Sequence, residues 1–102
     1  MPANDPEGGA GVKYDTEKLR YDLIPPAATQ ALAVVLTYGA RKYAPGGWRS
    51  VPDAVPRYTA ALMRHLEAWR AGEERDPESG LPHLAHVLCN SAFLVELTGA
   101  AP

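Results

Sequence analysis

Only one cysteine, Cys89, occurs in the 102 residues, which excludes an internal disulfide. Its place in an apolar helical pattern fits a reducing compartment. No apolar run is long enough to cross a bilayer and no stretch reads as a secretory leader, so the cytoplasm is the expected compartment and no membrane partner is expected. Neither sign of charge is in excess: 10 Lys and Arg stand against 12 Asp and Glu, with a net charge of -2 and a pI near 5.9. Proteins that hold long nucleic acid by its phosphates need a net basic face. That partner is excluded, whereas a small anionic ligand is not. Strand-type alternation and internal repeats are also missing, which leaves an all-α reading.

What is present fits one small domain. A chain of this size buries roughly two-thirds of its unfolded surface. With 10 prolines its helices are short, so a small bundle of about three main helices is expected to be completed by oligomerisation as a dimer or tetramer. Residues 1–12 (MPANDPEGGAGV) hold almost no large apolar side chain and read as a flexible N-terminal arm. Residues 13–102 form the single helical domain.

The double proline of Leu23-Ile24-Pro25-Pro26 fixes the backbone and is tolerated only in a helix's first turn, so a helix is expected over Ala27–Tyr43. Its apolar stripe is Ala31, Leu32, Val35, Leu36 and Tyr38. Ala44–Pro56, with three prolines and Gly46-Gly47, reads as a loop. Trp48 within it either folds back over the core or stacks on a ligand ring. A second helix over Arg57–Ala71 carries Tyr58, Ala61, Leu62, His65, Leu66 and Trp69 inward, Arg57 and Arg64 on a neighbouring face, and Gly72 as its stop. A third runs over Leu81–Thr98 and closes at Gly99.

The stretch from Arg64 to Asn90 organises the rest. It holds all three histidines, and its connecting turn supplies Glu73, Glu74, Asp76 and Glu78. His83, His86 and Asn90 share one face of the third helix, amid Leu84, Val87, Leu88 and Phe93. Polar groups on such a face need partners, and clustered ionisable groups in a buried setting mark sites. Carboxylates favour Mg²⁺ or Mn²⁺, and imidazole admits Co²⁺ or Zn²⁺. The candidate metal ligands are therefore Glu73, Asp76, His65, His83 and His86. Lys18, Arg20, Lys42, Arg49 and Arg64 are placed to surround a polyphosphate, with Tyr43 and Trp48 available for a base and Asn90 for a hydrogen bond.

Several motifs carry a family resemblance. They are K-Y-D-x-x-K-x-R-x-D-L-I-P-P at Lys13–Pro26, Y-G-A-x-K-Y at Tyr38–Tyr43, Trp48-Arg49, R-H-L-x-A-W-x-x-G-E at Arg64–Glu73, E-S-G-L-x-H-L-x-H at Glu78–His86, and Asn90. With these the sequence resembles the phage-associated dATP/dGTP diphosphohydrolase N-terminal family, akin to the MazG-like nucleoside triphosphate pyrophosphohydrolases. The resemblance implies a metal-dependent hydrolase that cuts a (deoxy)nucleoside triphosphate to the monophosphate and pyrophosphate. MazG-like enzymes typically carry E-x-x-E and E-x-x-D pairs. Here the matching helices carry His65, Glu67 and His83-x-x-His86, so no carboxylate position is carried over.

The expected catalytic set is Glu73, Asp76, His83 and His86. Glu73 or Asp76 serves as ligand or base, and the histidines serve as ligands or orient the water. A second reading is a non-catalytic nucleotide- or protein-binding module whose His/Asn stripe is a buried structural network. An HD-type enzyme releasing whole triphosphate is disfavoured, because no adjacent His-Asp pair exists.

Overall fold

The structure, a computed structural model, describes residues 18–100. The expected arm and the segment that follows it to Glu17 lie outside the described residues. After a 3-10 turn at Tyr21–Leu23 come α1 (Pro26–Lys42), a second 3-10 turn at Gly47–Ser50, α2 (Ala54–Arg70) and α3 (His83–Thr98). Among the described residues the only β-type pairing is an isolated bridge between Arg75 and Pro82. The all-α, three-helix expectation holds.

Pro26 starts α1 where a missing N–H costs nothing. The start of α2 differs from expectation by three residues, because Pro56 sits inside its first turn and does not end the preceding loop. Asp53 precedes it in a left-handed conformation, and its carbonyl accepts from Arg57 N at 3.1 Å. α3 begins at His83 and not at Leu81, because Leu81 and Pro82 are engaged in the preceding turn.

α3 is the central helix and packs on both α1 and α2. Tyr58 near the start of α2 meets Phe93 late in α3, while His65 further along α2 meets His83 and His86 at the start of α3. The two helices are therefore antiparallel. Val35, Ala85 and Cys89 are the buried apolar centre, with Ala31, Leu32, Leu81 and Phe93 packed against them. That centre is thin. Met63, Val55, Trp69, Leu84 and Val95 stay at least 40% exposed, so much apolar surface is left uncovered. No described helix is long and apolar enough to cross a membrane.

Candidate active site

The turn between α2 and α3 is what assembles the polar cluster. Gly72, at φ +102°, ends α2 by donating to Trp69 O (3.0 Å), while Glu73 N donates to Ala68 O (3.0 Å). This double closure is the usual glycine-dependent helix stop, and it fixes the backbone of Glu73. Beyond it His83 N donates to Glu74 O at 2.9 Å and Asp76 N to Leu81 O at 2.9 Å, so the chain folds back on itself. Gly80 N reaches Asp76 O at 2.8 Å, and the Asp76 carboxylate accepts from Ser79 N at 3.0 Å. Glu73 and Asp76 are thereby delivered to the start of α3.

His83, only 3% exposed, is held from both sides: Nε2 lies 2.7 Å from Glu73 Oε1 and Nδ1 lies 2.8 Å from His65 Nδ1. A carboxylate beside Nε2 favours a proton on that nitrogen, which leaves the Nδ1 lone pair pointing at His65. His86 stacks flat on His65, with centroids 4.3 Å apart and planes 7° apart. Its Nε2 meets Ser79 Oγ at 2.7 Å and Asp76 Oδ2 at 3.8 Å. Burial pushes the His65 and His86 imidazoles below the ordinary histidine range; the neighbouring imidazoles, with Arg64 at His65, add to this, while Asp76, with Glu78 at His86, opposes it. Burial alone would raise the Asp76 carboxyl, but the hydrogen bonds from Ser79 and the nearby His86 and His65 outweigh it and leave it lower than usual.

One donor atom from each of His65, Asp76 and His83 lies within 4.8 Å of the others. Two imidazole nitrogens bound tetrahedrally about 2.0–2.1 Å from one ion stand about 3.3 Å apart, so a small opening of the 2.8 Å Nδ1 pair would admit one. The second requirement of a metal-binding histidine, a carboxylate on its other nitrogen, is met by Glu73 on His83. The donor set therefore fits a divalent ion.

Beside the cluster lies a cleft of about 560 Å³ whose walls include Tyr38, Tyr43, Trp48, Tyr58, Phe93 and His86. The Trp48 ring is stacked on Phe93 at 4.2 Å, and the Arg49 guanidinium lies 4.5 Å over it. Both faces of the indole are thus occupied, as in the folded-back alternative. Tyr43 on the rim is 73% exposed. Asn90 is buried on the cleft wall, and its Nδ2 donates to His86 O at 2.8 Å.

The expected phosphate-binding cations are dispersed. Lys42 pairs with Glu78 at 2.9 Å, which raises its pKa, and Arg49 pairs with Glu96 at 3.2 Å. Arg20 forks onto Asp22, with both contacts at 2.8 Å. No ion pair ties it or the exposed Lys18 to the histidines among the described residues. Arg64 is exposed, next to His65 in α2. Ser79 is the cluster member that spacing did not reveal. Its sequence signal is that of a helix start, and only the fold brings it to His86.

The profile of the family described as dATP/dGTP diphosphohydrolase, N-terminal, matches residues 8–101. The chain belongs to that family. Over 92 residues it is also 32% identical to the dATP/dGTP diphosphohydrolase of Salmonella phage PMBT28. The match covers 90% of this chain but 31% of that protein, so the chain spans about a third of its relative's length. No solved structure matches. The motifs quoted above all lie within the matched residues.

Proposed function

We propose that this chain hydrolyses a (deoxy)nucleoside triphosphate, with dATP and dGTP as the foremost substrates, to the monophosphate and pyrophosphate in a reaction that needs a divalent ion. The observation that carries this reading is the convergence of His65, Asp76 and His83, with Glu73 on the far nitrogen of His83. Family membership supplies the substrate class.

His65, His83 and Asp76 would hold the ion, and Glu73 would fix the ring of His83. Two imidazoles and one carboxylate favour Mn²⁺, Co²⁺ or Zn²⁺ over an all-oxygen ion such as Mg²⁺. When bound, such an ion neutralises charge developing on phosphate oxygens. His86, held by Ser79 beside Asp76 and lining the cleft, would orient a water. The water oxygen joins the α-phosphorus as one of its protons passes to the neighbouring His86–Asp76 pair, the bond from that phosphorus to its bridging oxygen breaks, and pyrophosphate leaves. The aromatic cleft receives the base, where the exposed Tyr43 offers a free face. A second copy of the chain is proposed to cover the apolar side chains of α2 and α3. Sedimentation at micromolar concentration should show a dimer or tetramer, and a monomer would count against this.

Incubation with each common NTP and dNTP across Mg²⁺, Mn²⁺, Co²⁺ and Zn²⁺ should yield pyrophosphate and monophosphate. Whole triphosphate or orthophosphate as product would overturn the reading. One observation favours the binding-module alternative: all three histidines already have hydrogen-bonding partners within the chain. Titration with Mn²⁺ separates the two, since a purely structural network gains no stability from metal.

A further inference from the structure

Sharing Tyr43, Trp48 and Tyr58 with the aromatic cleft, the surface of α2 borders a second groove of about 580 Å³. Tyr43, Trp48, Val51 and Tyr58 form its walls, and its only charged lining residues are Arg57 and Arg64. No Asp or Glu lines it. Of the seven other described Lys and Arg side chains, four are ion-paired, Arg20 with Asp22, Lys42 with Glu78, Arg49 with Glu96 and Arg70 with Glu67, while Lys18, Arg41 and Arg75 have no carboxylate partner among the described residues. Among the described residues neither Arg57 nor Arg64 has a carboxylate partner. Seven residues apart on one helix, they project in nearly the same direction with about 10 Å of helix axis between them. Ala61 lines the same groove and lies one turn before His65 on α2, although His65, Asp76, His83 and His86 do not line it.

We propose that this groove receives the outer, β and γ, phosphates of the nucleotide, with Arg57 and Arg64 as its two anchoring cations, while the α-phosphate stays at the histidine cluster. The inference rests on the hydrolase reading for the identity of the ligand, but the groove's chemistry is independent of the metal. Guanidinium groups bind phosphate oxygens through paired N–H donors, and at that spacing they grip a linked chain of phosphates better than an isolated one. Tyr43, Trp48 and Tyr58 line both the cleft and the groove. A nucleotide seated across these shared residues can keep its base in the cleft and its α-phosphate near His86, which lines that cleft, while its outer phosphates reach the groove. Arg57 becomes a binding residue, alongside Arg64.

The test measures calorimetric binding of inorganic tripolyphosphate, without added metal, to the full chain and to Arg57→Ala, Arg64→Ala, Arg57→Lys and Arg41→Ala. Arg41 is an exposed arginine on α1 that controls for loss of net charge. Each of the first two variants should weaken binding about 10-fold or more. Arg57→Lys should recover part of the loss, and Arg41→Ala should stay within about twofold. Equal affinity in all variants, an equal loss in Arg41→Ala, or no binding to the unaltered chain would overturn the proposal. Turnover of dATP and dGTP is measured alongside. Turnover that is insensitive to Arg57 would sink the groove and leave the hydrolase reading standing. Arginine-dependent tripolyphosphate binding by a chain that turns over no nucleotide would do the reverse.

Discussion

The polar cluster between α2 and α3 and the groove on the flank of α2 handle charge in opposite ways. In the cluster the imidazoles and carboxylates are partly or wholly buried and interlocked, from Glu73 through His83 to His65, and from Asp76 through Ser79 to His86. In the groove two exposed guanidiniums face no carboxylate among the described residues. A buried network is fixed before any ligand arrives, because each unmet polar atom in it would cost free energy. An unpaired exposed cation costs little in water and keeps its hydrogen-bonding capacity for an anion. Preorganised donors in one place and available charge in another are what metal-assisted cleavage of a polyphosphate requires.

The largest break in this contrast should come from His83→Ala. It removes the residue that joins Glu73 to His65, so turnover of the preferred nucleotide should fall by about 100-fold or more. It should also destabilise the fold by about 1–3 kcal/mol, since partners are left unsatisfied in a mostly buried place. Urea denaturation followed alongside initial rates checks both. Near-normal rates would move the site away from the histidines.

Glu73→Gln sharpens the comparison with less damage. Glu73 touches His83 from the turn and is half exposed, so folding should survive, while Mn²⁺ affinity and turnover should fall about 10- to 100-fold. An unchanged Mn²⁺ isotherm would mean that Glu73 plays no part in orienting His83.

Much of this contrast was legible in the residues and part of it was not. The i, i+3, i+7 spacing of His83, His86 and Asn90 placed them on one face of α3, and the position of His65 on the inward stripe of α2 is as the apolar periodicity indicated. Which atoms meet is decided by the turn. Gly72 and Gly80 at positive φ, together with the Ser79–Asp76 contact, fold the acidic segment so that Glu73 reaches His83 and Asp76 approaches His86. No periodicity encodes that. The start of α2 was hidden for another reason: Pro56 reads as a breaker unless it falls in a first turn, and nothing local announces that Asp53 turns the chain into a helix. Arg57 and Arg64 were visible as a shared face, but the groove beside them depends on Trp48 folding back onto Phe93.

Trp48 lines both cleft and groove, and Trp48→Ala would remove their largest shared side chain. The ring is half-buried and stacked on Phe93, so its loss should cost about 2 kcal/mol, less than a fully buried tryptophan would. KM should rise more than kcat falls, because the variant loses shape and not chemistry. A fall in kcat with unchanged KM would place Trp48 nearer the reacting atoms than the stacking indicates.

The smallest effect on turnover should come from Cys89, which is buried in the apolar centre at the wall of the aromatic cleft. Burial pushes its thiol up to about 11 from an ordinary value of 9.0, so at neutral pH it is a protonated, inert side chain in the apolar centre. Folding therefore holds the thiol proton more tightly than the unfolded chain does. The associated stability is fully present below pH 9 and is lost as pH rises from about 9 to about 11. The loss is at most about 2–3 kcal/mol. Comparing urea midpoints of the unaltered chain with those of Cys89→Ala across that window isolates the cysteine from the tyrosines and lysines that titrate nearby. The unaltered chain should lose more stability than the variant between pH 9 and 11, while the difference between the two stays constant from pH 7 to 8.5. Rapid alkylation of the native protein at pH 8 would contradict the buried placement, and a turnover loss in Cys89→Ala beyond its small packing cost would draw the thiol into the cleft's chemistry.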